Sequence, residues 1–208
     1  MTDKVSRAVN VVFVLCVCGI LLGAFGVQFL LKELPCPLCL LQRLALLGVG
    51  LGAMLNVVYG ARPRNYGVSL LSAIFGGAVA VRHILLHIAP GSPVHGFTFL
   101  GMHLYTLSLL AFASTGLLLA LMLFLDSQFS PRYLAAGGFG RIAGSSPGAP
   151  GSTPATRPAA NHLGFFARLV IALFIFIAVA NLVCTVLLCG LGPCPSDPTQ
   201  YLLLSWLR

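Results

Sequence analysis

Five apolar runs leave this chain almost no way to fold in water. They cover residues 8–31, 44–59, 66–89, about 100–125 and 165–188. A bilayer's hydrocarbon core is spanned by about 20 apolar residues in helical conformation. Lipid offers no partners to backbone N–H and C=O groups, so such runs must close their hydrogen bonds within themselves, as helices do. Hydrophobic residues make up 58% of the chain and charged residues 8%, against about 25% charged in soluble domains. The expected fold is therefore all-α and integral to the membrane: a four-helix transmembrane bundle with a fifth transmembrane helix. Lys4 and Arg7 precede the first run as they would in a signal peptide. A signal peptide's apolar core is only about 7–15 residues long and ends at a small-residue cleavage site, so this run reads as a first helix that is kept.

The breaks between runs differ in character. Gly60-Ala61-Arg62-Pro63-Arg64-Asn65 is a tight basic turn in which the proline interrupts helix. The second run is short, and it spans if Gln42 and Arg43 lie at headgroup level. Residues 135–161 are almost entirely Ala, Gly, Ser, Pro and Thr, a linker composition. The expected organisation is a membrane domain over 1–130, a flexible cytoplasmic linker over 131–164, and the fifth helix with a cysteine-containing periplasmic tail over 165–208. Tyr201 and Trp206 suit that tail to lying along the membrane interface.

The net charge of +8 does not indicate nucleic acid, because the basic residues sit singly at the ends of apolar runs, where they set topology. With the N-terminus inside, the inner side collects Lys4, Arg7, Arg62, Arg64, Arg132, Arg141, Arg157 and Arg168. The outer side holds Lys32, Arg43 and Arg208, with Arg82 within a helix. The loop bearing Cys36 and Cys39, the loop from His87 to Leu100, and Cys189 with Cys194 then all face outward, into a compartment that permits disulfides.

Cys36-Pro37-Leu38-Cys39 at the mouth of the bundle carries the chemistry. Two thiols so spaced open and close a small disulfide, and Arg43 can lower a thiolate's pKa. As a permanent staple the pair would achieve little, since the stabilisation grows with loop length. As half of a metal site it lacks a second Cys-x-x-Cys, so no metal is expected. His83 and His87 share one helix face, at i and i+4, and ionisable groups within membrane helices mark functional cavities. His87 and Arg82 suit the outer headgroups, His95 a solvated loop, and His103 either the pocket or interfacial packing. Cys16 and Cys18 are packing residues, and Cys184 stands as the odd thiol among seven cysteines. Gly19, Gly23, Gly26, Gly48, Gly50 and Gly52 read as close helix-packing surfaces. Four acidic residues leave little room for a paired-carboxylate site.

Cys-Pro-Leu-Cys-Leu-Leu-Gln-Arg opening the second helix, after a first helix and a short outer loop, resembles the disulfide bond formation protein B (DsbB) family. The resemblance covers about residues 8–125. It implies an oxidoreductase of the bacterial inner membrane, multi-pass, monomeric, with its N-terminus cytoplasmic. Such a protein reoxidises a periplasmic DsbA-like thioredoxin-fold thiol oxidase and passes two electrons to ubiquinone or menaquinone. Carried over, Cys36 meets the partner's thiol chemistry, Cys39 faces the quinone, Arg43 polarises a quinone oxygen, and His83 and His103 line the pocket. The family usually places a second cysteine pair between its third and fourth helices, and here that loop has none. Cys189 and Cys194 either replace it as a shuttle pair or form a structural staple. Two other readings stay open: a membrane assembly subunit with a structural Cys36–Cys39 bridge, and a haem-bearing electron-transfer subunit using His83, His87 and His103.

Overall fold

The computed structural model describes residues 3–88, 98–99, 101–124, 164–190, 192, 194 and 201–203. Most of the expected linker, together with His95 and Trp206, lies outside them. Five helices carry the fold: α1 (Asp3–Leu30), α2 (Pro37–Tyr59), α3 (Pro63–His87), α4 (Leu104–Leu123) and α5 (Phe165–Cys189). All five are long and apolar enough to cross a membrane. A small antiparallel hairpin of β1 (Thr98–Phe99) and β2 (Met102–His103) precedes α4. The expected helical membrane bundle is what forms.

Proline fixes the start of two helices. The basic turn does interrupt helix, with α2 ending at Tyr59, and Pro63 stands at its far side. It begins α3, with Arg62 extended at the N-cap. Proline lacks an N–H that the first helical turn would leave unpaired anyway, and its fixed φ suits that turn. For the same reason α2 starts at Pro37, so the Cys-Pro-Leu-Cys segment opens it as expected, with Cys36 as its N-cap. That start places both thiols in helical register with Gln42 and Arg43. Those two side chains are buried within the bundle.

One core runs through the bundle. Val14, Val17 and Leu21 of α1 meet Val49 and Ala53 of α2, while Phe112 of α4 and Val170, Phe174 and Ile177 of α5 fill it from the sides. The fifth helix thus packs on the bundle, against α1 and α2. The outward faces remain apolar, with Leu71, Ile74, Leu117 and Phe176 all exposed, as lipid contact requires.

Small residues set the helix spacing. A Cβ on Gly52 would collide with Ser69 Oγ and the Asn65 carbonyl of α3, and one on Gly50 with the ring of Phe174 of α5. Ser69 Oγ donates to the Val49 carbonyl across the α2–α3 contact at 2.8 Å. Gly19, Gly23 and Gly26 do not share this role: a Cβ on any of them would meet no atom within 4 Å. The expectation of a packing stripe on α1 is therefore corrected. Apolar residues such as Val14 and Leu21 make the α1 contacts instead, and the close approaches belong to the α2 glycines and to Gly76 of α3.

At the end of the bundle that carries Tyr59, Asn56 accepts from Asn65 Nδ2 (3.0 Å) and from the Arg62 backbone N–H (3.2 Å), and donates to Asn10 Oδ1 (3.2 Å). Asn10 Nδ2 reaches the Ser6 carbonyl and the Tyr66 hydroxyl. This neutral network ties α1, α2 and α3 together, and Gly60, at φ 83°, makes the turn beside it.

Candidate functional site

At the opposite end of α2, the N-cap position places a sulfur where an oxygen usually stands. Cys36 Sγ accepts the backbone N–H of Cys39 at 3.2 Å, satisfying one of the donors that a helix start leaves open. One turn of helix then brings Cys39 Sγ to 2.7 Å from Cys36 Sγ. Both cysteines are free thiols and half-buried.

His83 arrives from α3. Its Nε2 lies 3.9 Å from Cys36 Sγ, and its Nδ1 lies 3.4 Å from Gln42 Nε2. An amide nitrogen can only donate, so Nδ1 accepts and the neutral ring carries its proton on Nε2, facing Cys36. The Cys36 thiol is held down to about 4. The main cause is the hydrogen bond from the Cys39 side chain; burial opposes it, and His83 and the Cys39 backbone N–H reinforce it. A thiolate at a helix N-terminus also lies at the positive end of the helix dipole. Tyr105 of α4 backs the imidazole at 5.2 Å between ring centres.

Arg43, one turn beyond Cys39, turns toward α1. It is 8% exposed. Its Nη1 donates to Gln28 Oε1 at 2.7 Å and its Nη2 to the Ala24 carbonyl at 2.9 Å. The Phe25 ring lies under the guanidinium, 5.3 Å away. Each of these partners is neutral. Gln28 in turn donates from Nε2 to the Tyr201 hydroxyl at 3.1 Å, which brings the chain's last described segment into the site.

Cys189 and Cys194 form a disulfide. It sits in a small apolar cluster with Leu34, Leu40, Leu188 and Tyr201, and so against residues that flank the Cys36–Cys39 turn. The two other cysteine expectations agree with the structure in part: Cys18 is buried in the core, Cys16 is exposed, and Cys184 is free.

Of the predicted residues, the structure brings Cys36, Cys39 and His83 together, with Arg43 one helical turn from Cys39. His103 stands apart, its ring stacked on Tyr105 at 5.0 Å, so it meets His83 only across that tyrosine. His87 donates from Nδ1 to the His83 carbonyl at 2.9 Å. The three histidines are thus engaged with Tyr105 and backbone and do not face one common centre. A different donor set does converge: the ligand atoms of Cys36, Cys39 and His83 lie within 4.8 Å of one another. Counting only Cys-x-x-Cys motifs overlooks this grouping. Gln42, Gln28 and Tyr201 were also missed as site residues. For Gln28 and Gln42 the available signal was an amide at the end of an apolar run, a costly group to bury without a partner.

Residues 6–96 match the sequence model of the family described as disulfide bond formation protein DsbB. Three relatives named Disulfide bond formation protein B agree. That of Cupriavidus necator is 38% identical over 41% of this chain and 53% of its own length. That of Marinobacter nauticus is 39% identical over 41% and 52%, and that of Saccharophagus degradans 34% identical over 40% and 52%. The chain therefore spans about half the length of the curated relatives it matches. No solved structure matches. The similarity to that family runs from the first helix through the Cys36–Cys39 turn and α3, while α4, α5 and the Cys189–Cys194 disulfide lie beyond residues 6–96.

Proposed function

We propose that this protein is a thiol oxidase of the bacterial inner membrane, with its N-terminus cytoplasmic and Cys36 and Cys39 facing the periplasm. It reoxidises a DsbA-like dithiol protein and delivers two electrons to ubiquinone or menaquinone. The observation that carries this reading is the acidified Cys36 thiol, paired with Cys39 and faced by the Nε2–H of His83, next to a buried arginine.

In the oxidised protein an incoming thiolate attacks Cys36 Sγ and the Cys39 sulfur leaves. A second thiol of the same donor then resolves the mixed disulfide and expels Cys36. The donor is oxidised by two electrons, and Cys36 and Cys39 are reduced to the dithiol. A thiolate of low pKa is the better leaving group, and His83 stabilises that thiolate through Nε2–H. Cys189 and Cys194 are the relay in this reading, taking electrons from the partner and handing them to Cys36–Cys39. The seat of their disulfide against Leu34 and Leu40 supports that role.

The donor set suits a quinone. Arg43 uses two of its five N–H donors on neutral oxygens, and a buried cation with neutral partners favours a ligand oxygen that gains negative charge. When bound, a quinone accepts two electrons and two protons. Arg43 would hold one of its oxygens, with Cys39 one helical turn away, while His83, and His103 across Tyr105, close the same end of the bundle.

The test is anaerobic mixing of fully reduced protein with decylubiquinone while free thiols are counted. Wild type should lose thiols as quinol appears, and Cys39→Ser should make no quinol. Cys16, Cys18 and Cys184 should stay free, and a wild-type thiol count that does not fall would overturn the reading. In the Cys189→Ser/Cys194→Ser variant, partner oxidation should fall by about tenfold or more while oxidation of dithiothreitol persists. Partner oxidation at the wild-type rate would remove the relay.

A further inference from the structure

The Gln28 amide has both ends committed inside the bundle, and the identity of its neighbours dictates its orientation. Arginine can only donate, so Oε1 must face Arg43. Nε2 is then left to face the Tyr201 hydroxyl, which accepts. Gln28 is 2% exposed, so no water competes for either end. An amide is nearly symmetric in shape. The guanidinium, a donor only, fixes which end of the amide it meets, and the Tyr201 oxygen supplies the acceptor that Nε2 needs in that orientation.

Tyr201 reaches this point on a segment outside the family match. Its ring packs with Leu34, Leu40 and Leu188 beside the Cys189–Cys194 disulfide, which turns the chain back after α5 ends at Cys189. We propose that Tyr201 is a positioning residue for Arg43, acting through Gln28, and that the segment after α5 thereby sets how the guanidinium is presented to the acceptor. This rests on the proposed quinone reduction. The physical basis is that loss of the hydroxyl leaves a buried N–H without a partner. A simple flip would set the NH2 against the guanidinium, so Gln28 regains a partner for Nε2 only by moving its side chain away, and Arg43 then loses the closer of its two acceptors.

The test uses Tyr201→Phe in the full chain, because phenylalanine keeps the ring in the Leu34–Leu40 cluster. With decylubiquinone as acceptor, KM should rise about three- to tenfold with kcat held within about twofold, the range expected for one hydrogen bond. In ligand-free protein, the Arg43 guanidinium N–H resonances should exchange with solvent faster than in wild type. In a cycle with Gln28→Ala, the two substitutions should be non-additive, since both act on one chain of contacts. Unchanged KM and unchanged exchange in Tyr201→Phe would overturn the proposal. So would an additive cycle in which thermal stability falls as KM rises, since that marks a packing role only. If wild type reduced no quinone, the proposed function would fall, while the exchange measurement on ligand-free protein would still decide whether Tyr201 orders Arg43.

Discussion

Asn56 and Cys36 each organise a buried polar cluster, at opposite ends of α2, and the two clusters handle polarity in opposite ways. Around Asn56 the groups are neutral amides, a carbonyl and a hydroxyl, and Asn56 alone makes three hydrogen bonds to three different partners. No proton has to move there, and every contact serves to hold α1, α2 and α3 together. Around Cys36 the contacts involve groups that change protonation or bonding: two unbonded sulfurs, an imidazole and a guanidinium with neutral acceptors. One end is a clamp and the other is poised to react. A membrane bundle must satisfy polar groups internally, but it can do so redundantly, which gives rigidity, or sparingly, which leaves valence for chemistry.

The largest effect should come from breaking the clamp. Asn56→Ala strips three partners of their hydrogen bonds in a dry interior and should cost about 3 kcal/mol. This would appear as a lower thermal midpoint in detergent, with Cys36 alkylation unaltered in the folded fraction. An unchanged midpoint would mean that the two clusters do not differ as argued.

A smaller effect is expected at the reactive end. The Cys36 thiol is lowered from an ordinary 9.0 to about 4. A depressed acid stabilises the fold most when both states are ionised. The contribution in the reduced protein is therefore full above about pH 9 and is lost as pH falls toward 4. His83→Ala removes one of the causes, so the alkylation midpoint should climb by about one pH unit and the pH dependence of stability should shrink with it. A midpoint that does not move would exclude His83 as a partner of the thiolate. The smallest change is Gly19→Ala, which meets no neighbour and should raise the thermal stability of α1 by less than about 1 kcal/mol through helix propensity.

These contrasts also show where sequence reasoning stops. The thiol pair, its place at the mouth of the bundle and the spacing to Arg43 were visible as letters in a row, because Cys-x-x-Cys and one further turn are local facts. The burial of Arg43 was not visible. An arginine at the end of an apolar run reads equally as a headgroup anchor, and only the approach of Gln28 and the Ala24 carbonyl from α1 provides it with partners. The packing role of glycine was visible for α2 but not for α1: the α2 glycines face Ser69, Ser72 and Phe174, whereas those of α1 face no close neighbour.

What the amino-acid order determined by itself is the number of membrane-length helices, their approximate ends and the position of the reactive thiols. Hydrophobic length and proline placement act within a few residues of where they are written. The tertiary structure decided which helix faces meet: His83 against Cys36, Gln28 between Arg43 and Tyr201, Cys189 beside Leu40. Those contacts depend on how each helix is rotated about its axis, and that rotation is settled only when all five pack at once.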